Sequence, residues 1–180
     1  LDVYLTRFAE RAEAAGARVH WARDAAEACA HVAAIAKSVG AKRLVKSKSM
    51  ATEEIGLNAA LALDGSEPVE TDLGEWIIQL AGETPSHIIA PALHKDRHQI
   101  KDLFVDTVAA PPTLDTAPTE LVSFARRRLR EVFLAAEVGI TGANFAVAET
   151  GSIVLVTNEG NGRLVTALPR VHIAVLGMER

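Results

Sequence analysis

A chain of 180 residues, 49% hydrophobic but only 4% aromatic, is long enough for one α/β domain with a core of Ala, Val, Ile and Leu. Its net charge of −4 argues against a nucleic-acid partner, and no apolar run approaches the ~18 residues of a membrane span. The single cysteine, Cys29, excludes an intramolecular disulfide and fits a cytoplasmic setting.

In chain order, residues 2–15 have the spacing of an amphipathic helix with Leu5, Phe8, Ala9 and Ala12 on one face. Ala17 to Trp21 reads as a short strand. Asp24 and Glu27 have the spacing of a capping box for a helix that ends at Gly40. Its Cys29, Val32, Ile35, Ala36 and Val39 recur at helical spacing, so Cys29 is read as core rather than as a reactive thiol. A strand at Arg43–Lys46, a helix through Thr52–Leu63, a strand at Val69–Thr71 and a helix at Leu73–Leu80 follow. A strand at His87–Ala90 and a helix at Lys95–Val108 complete an alternation that predicts a mostly parallel, doubly wound α/β sheet. Ala109–Pro118 contains Pro111-Pro112 and reads as a surface loop. A helix from Thr119 to Ala136 buries Val122, Ala125, Leu129, Val132 and Phe133. Two alternating runs, Phe145–Ala148 and Ile153–Val156, flank Glu149-Thr150-Gly151-Ser152 as a C-terminal β-hairpin. A last strand spans Val171–Leu176.

Ligands of open α/β sheets bind beyond the carboxyl ends of the strands, and three strands here end in polar clusters. Lys46-Ser47-Lys48-Ser49 carries two ammonium groups and two hydroxyls just before a helix. That set suits a phosphate or carboxylate, or it is a solvated turn with Ser49 as N-cap. Glu70 and Asp72 end the next strand. They either pair with the lysines and select a ligand, or Asp72 simply caps the helix at Leu73. His94 ends the third as an anion donor, a proton shuttle or an ordinary surface residue. His94 and His98 have a metal-ligand spacing, but no third ligand follows at a recognisable spacing, so no metal site is expected.

At the hairpin, Glu149 has the chemistry of a general base or nucleophile, or holds the turn together with Thr150. Gly142, Asn144, Gly151, Asn158, Gly160 and Asn161 either line a pocket with backbone or permit tight turns. Arg126-Arg127-Arg128-Leu129-Arg130 is most simply a solvated helix face, with docking of an acidic partner as the alternative.

Long strings of this sequence resemble the LUD-domain (lactate-utilisation) family. They are residues 141–161 around the hairpin, 45–58 (Val45-Lys46-Ser47-Lys48-Ser49 onward), 70–80 (Glu70-Thr71-Asp72-Leu73-Gly74 onward) and 85–91. The resemblance covers nearly the whole chain, favours the anion site at Lys46–Ser49, and does not suggest zinc. It implies a fold similar to the sugar-phosphate isomerase and CoA-transferase group. Within the family the closest likeness is to iron–sulfur subunits of L-lactate-oxidising systems, whose [4Fe–4S] clusters need about four thiolates each.

One cysteine cannot supply such a set. The clusters are therefore expected outside residues 1–180, and the chain, which starts at Leu1 rather than Met, reads as one domain forming the N-terminal part of a longer protein. The resemblance implies a cytoplasmic accessory domain of a complex that oxidises lactate to pyruvate through iron–sulfur electron transfer. Its expected partners are the other subunits and a small anion. The alternatives are a CoA-transferase-like or sugar-phosphate-isomerase-like enzyme using Glu149, or a docking domain without catalysis.

Overall fold

The computed structural model describes residues 1–84, 90–157 and 159–178. Four parallel strands form the central sheet in the order β2-β1-β3-β6: β1 Arg43–Lys46, β2 Glu67–Glu70, β3 Val138–Thr141 and β6 Val171–Ala174. A separate antiparallel pair, β4 Phe145–Val147 and β5 Ser152–Val154, is the expected hairpin. The α/β, doubly wound architecture is as the alternation implies.

Strand β1 shows how the layers are built. Its neighbours Leu44 and Val45 are both fully buried, yet they join different cores, because successive strand residues point to opposite faces. Leu44 packs with Cys29, Val32 and Ala36 of α2 (Ala25–Ser38) and with Leu57 and Leu61 of α4 (Leu57–Leu63). Val45 packs with Trp76 and Ile77 of α5 (Leu73–Ala81), Phe104 of α6 (Arg97–Val108), and Leu121, Ala125, Leu129 and Phe133 of α7 (Pro118–Ala135). Each large apolar side chain fully buried this way contributes about 1.5–3 kcal/mol.

Several expectations are corrected. Ala17–Trp21 is not a strand: Trp21 is 52% exposed, and the segment pairs with no strand among the described residues. The helix expected over Thr52–Leu63 is two helices, α3 Met50–Glu54 and α4, divided where Gly56 adopts a φ of 67°. Val122 is 47% exposed, and the buried stripe of α7 runs through Leu121 instead. The Asp24–Glu27 capping box is half formed. Asp24 accepts the Glu27 amide at 2.9 Å, but the Glu27 carboxylate turns to the Arg23 amide at 2.8 Å and its Nε at 3.0 Å. A full capping box forms at Asp96 and Gln99, at the start of α6. Of the strand expected at His87–Ala90, residues 87–89 lie outside the described residues, and Ala90 is not in a strand. Arg126, Arg127, Arg128 and Arg130 lie on the solvated face of α7.

Strand β3 and the helix α8 (Asn161–Ala167) escape a periodicity reading. The β3 segment is buried on both faces and so has no alternation, and it contains Gly139. A Cβ there would lie 2.0 Å from the Val165 carbonyl oxygen, so the glycine lets α8 press against the sheet.

Candidate functional site

Strands β1 and β3 deliver the chain to the carboxyl edge of the sheet, and there the cluster Lys46–Ser49 separates. Lys46 is opposite Glu70 in the parallel register and points in the same direction as Leu44, into the protein. Its side chain is 1% exposed, with Nζ 2.9 Å from Glu70 Oε1 and donating to Thr52 Oγ1 at 3.1 Å. Asn58 Nδ2 donates to the same Glu70 oxygen at 2.7 Å. Glu70 Oε2 and Asn58 Oδ1 are buried without a hydrogen-bond partner among the described residues. Lys46 and Glu70 are thus spent on each other beneath the edge.

Lys48 lies past the end of β1 and behaves differently. Its amide donates to Asp72 Oδ2 at 2.6 Å, which pins the backbone. Its side chain is 38% exposed, with Nζ 3.4 Å from Oε1 of the buried Glu75. Burial pushes the Glu75 carboxyl above the usual range; Glu53 adds to the rise, Lys48 opposes it and Glu70 adds further. Asp72 holds the N-cap position of α5 without capping it, because its carboxylate is turned to Lys48.

Lys48 lines an open cavity of about 260 Å³ with Ser47, Ser49, Asp72, Gly142, Asn144 and Asn161. These seven come from four separated stretches of chain, and the sequence singles out all of them. Ser49 caps α3 by accepting the Thr52 amide at 3.4 Å. With five residues and that cap in place, α3 does not supply the free helix amides expected of it. Gly142 is needed where it is, since a Cβ would lie 2.6 Å from Ser49 Oγ. Asn144 Oδ1 accepts the Val156 amide at 2.8 Å and joins the two strands at the root of the hairpin. Asn161 is 8% exposed and donates to Thr71 Oγ1 at 3.2 Å. Leu155, Val156, Thr157 and Gly162 also line the cavity and were not singled out by the sequence. Their signal is their adjacency to Asn158 and Asn161. Glu75 was missed as well: an acidic residue in a first helical turn reads as a dipole partner.

Other candidates lie elsewhere. Glu149 and Thr150 are exposed at the hairpin tip and do not line this cavity. Thr150 Oγ1 bonds with Ser152 within the turn. Gly151, at a φ of 72°, lies against α1 (Asp2–Ala14), where a Cβ would be 2.2 Å from the Ala12 amide nitrogen. The tip is therefore a docking point on α1, whereas the root borders the cavity. Gly160 is the N-cap of α8, with a φ of 78° and open space where a Cβ would stand. His94 pairs with Glu83 at 2.6 Å and does not line the cavity; Lys95, also at 2.6 Å, and His94 hold the Glu83 carboxyl below its usual range. Among the described residues no group of three or more His, Cys, Asp or Glu could hold a metal ion. Asn158 lies outside the described residues.

The family model described as the LUD domain matches residues 5–180. The chain belongs to the LUD domain family. It is similar over its whole length to "Lactate utilization protein B" of Oceanobacillus iheyensis (53% identical, 37% of that protein's length) and of Shouchella clausii (55%, 38%). It is also 50% identical to the "Uncharacterized electron transport protein YkgF" of Escherichia coli, again over 38% of that protein. The chain thus spans little more than a third of the curated relatives it matches. No solved structure matches it.

This LUD domain has one cysteine, buried on α2, with Sγ donating to the Ile55 carbonyl at 3.3 Å. Burial pushes its thiol up, away from the thiolate a metal requires. These residues do not fit an iron–sulfur cluster. No described helix is long and apolar enough to cross a membrane.

Proposed function

We propose that this LUD domain serves a cytoplasmic lactate-utilisation protein by holding a small carboxylate anion in the cavity at the strand ends. The observation that carries this reading is the convergence of the Lys48 ammonium with Ser47, Ser49, Asn144 and Asn161 around that cavity. One mobile cation and several neutral donors match a carboxylate, and the carboxyl edge of a parallel sheet is where such ligands sit. Asp72, on the same rim, opposes a second negative charge and accepts a ligand hydroxyl.

The names of the relatives support the wider setting. In it, the domain is part of a subunit of a complex that oxidises L-lactate to pyruvate and passes the electrons to iron–sulfur clusters. The clusters and the partner subunits lie outside these 180 residues, and no redox step is assigned to this chain. An enzyme built on Glu149 finds less support, because that carboxylate lies at an exposed tip rather than on the cavity.

The test is lactate oxidation by the full assembled protein carrying Lys48→Ala. We expect KM for lactate to rise at least about tenfold, equivalent to about 1.4 kcal/mol, with the cluster absorbance and thermal stability unchanged. An unaltered KM would overturn the anion site.

A further inference from the structure

The cavity that holds Lys48 also has an apolar lining, which a carboxylate group does not use. Met50, Ala51, Ala143, Leu155, Val156 and Val175 face the same space as the polar set. Two of these large side chains are left to water: Val156 is 72% exposed and Met50 42%. A single exposed apolar side chain is ordinary, but several gathered around one open cavity mark a ligand surface. The patch continues outward. Exposure alternates from Ser152 to Thr157, which puts Val154 and Val156 in the same phase, and Phe145 stands opposite Val154 in the hairpin register. Phe145 and Val154 are exposed as well, so an apolar stripe runs from the cavity along the hairpin.

We propose that this cavity receives a 2-hydroxy monocarboxylate whose apolar tail is longer than the methyl group of lactate, with the carboxylate at Lys48 and the tail over Met50 and Val156. The inference rests on the anion reading above and names the class of acid. Size agrees with it. A volume of about 260 Å³ equals that of about eight or nine liquid waters at about 30 Å³ each, of which a three-carbon acid displaces roughly four. Water against the remaining apolar side chains is held poorly, so replacing it with hydrocarbon is favourable.

Tail length is read from a fixed origin. The Lys48 amide is pinned by Asp72 at 2.6 Å, and the Val156 amide donates to Asn144 Oδ1 at 2.8 Å, so the backbone at both ends of the ligand is held. The side chains of Met50 and Val156 belong to neither of the two cores. Met50 is the first residue of α3, beside the Ser49 cap, and its unbranched thioether adapts to tails of different shape.

The test is calorimetric titration of the full-length protein with the sodium salts of L-lactate, (S)-2-hydroxybutyrate and (S)-2-hydroxyhexanoate. It compares the wild type, Lys48→Ala, and a double variant with Met50→Ser and Val156→Ser. We expect wild-type affinity to rise by up to about fourfold for each added methylene. The double variant should flatten that rise, and Lys48→Ala should weaken all three acids by a similar factor of about ten or more. Lactate binding with no gain from longer tails in the wild type would overturn the tail proposal and leave the anion site standing, as would a gain that survives intact in the double variant. Affinities untouched by Lys48→Ala, or no binding of any of the three acids, would overturn the anion reading itself. The wild-type series decides the tail proposal even if the double variant fails to fold.

Discussion

Lys46 and Lys48 stand two residues apart at the end of one strand, and their environments are opposite. Lys46 is 1% exposed and locked between Glu70 and Thr52, whereas Lys48 is 38% exposed and touches Glu75 loosely at 3.4 Å. A buried pair is costly to break, because the abandoned partner keeps its desolvation penalty. A half-exposed pair is worth little to stability and is free to exchange partners. The lesson is that a basic cluster in a sequence is not one object: one lysine here is part of the fold and the other is available to a ligand.

The sharpest way to break this comparison is mutation of the two lysines in parallel. Lys46→Met should cost about 3–5 kcal/mol in denaturant unfolding, because Glu70 is left as an uncompensated buried charge. Lys48→Ala should cost less than about 1 kcal/mol. Adding Glu70→Met to Lys46→Met should recover most of the loss, since an apolar pair can replace a buried ion pair. Equal costs for the two single variants would erase the distinction.

A smaller effect separates the two ends of the hairpin. Gly151→Ala must place a Cβ 2.2 Å from the Ala12 amide, at a φ of 72°. It should cost about 1–3 kcal/mol and weaken protection of the α1 amides in hydrogen exchange. Lactate affinity should hold, because the cavity borders the hairpin root. A collapse of affinity with α1 protection intact would place the function at the tip.

The smallest effect is expected at Glu149. Its side chain is exposed at the tip, so Glu149→Gln should shift stability by no more than about 0.5 kcal/mol and leave lactate turnover of the assembled protein unchanged. A loss of turnover by orders of magnitude in a folded Glu149→Gln protein would restore the nucleophile or base reading.

Much of this arrangement is legible in the sequence where a local rule controls it. The β/α alternation yields β1, β2 and α5 close to their observed bounds, and Glu-Thr-Gly-Ser between alternating runs yields the hairpin. Of the cavity wall, Ser47, Lys48, Ser49 and Asp72 follow from looking at strand ends, and Gly142, Asn144 and Asn161 from the polar residues around the hairpin. What is not legible depends on partners distant in sequence. Strand β3 hides because a doubly buried strand has no period, and its Gly139 serves a contact with Val165 that no window contains. The different fates of Lys46 and Lys48 turn on a strand ending between them: Lys46 keeps the inward phase of Leu44, and Lys48 has left the ladder. Glu75 is missed because its burial depends on how α5 packs, although its i+3 spacing from Asp72 places both acids at one helix start.

The central claim, that Lys48 is the ligand-bearing cation at the strand ends, is tested most directly by a crystal structure of the protein with L-lactate at saturating concentration. The account predicts a lactate carboxylate in the cavity within about 3 Å of Lys48 Nζ, with Lys46 still paired to Glu70. Lactate seated at the hairpin tip beside Glu149, with the Lys48 cavity empty, would contradict it.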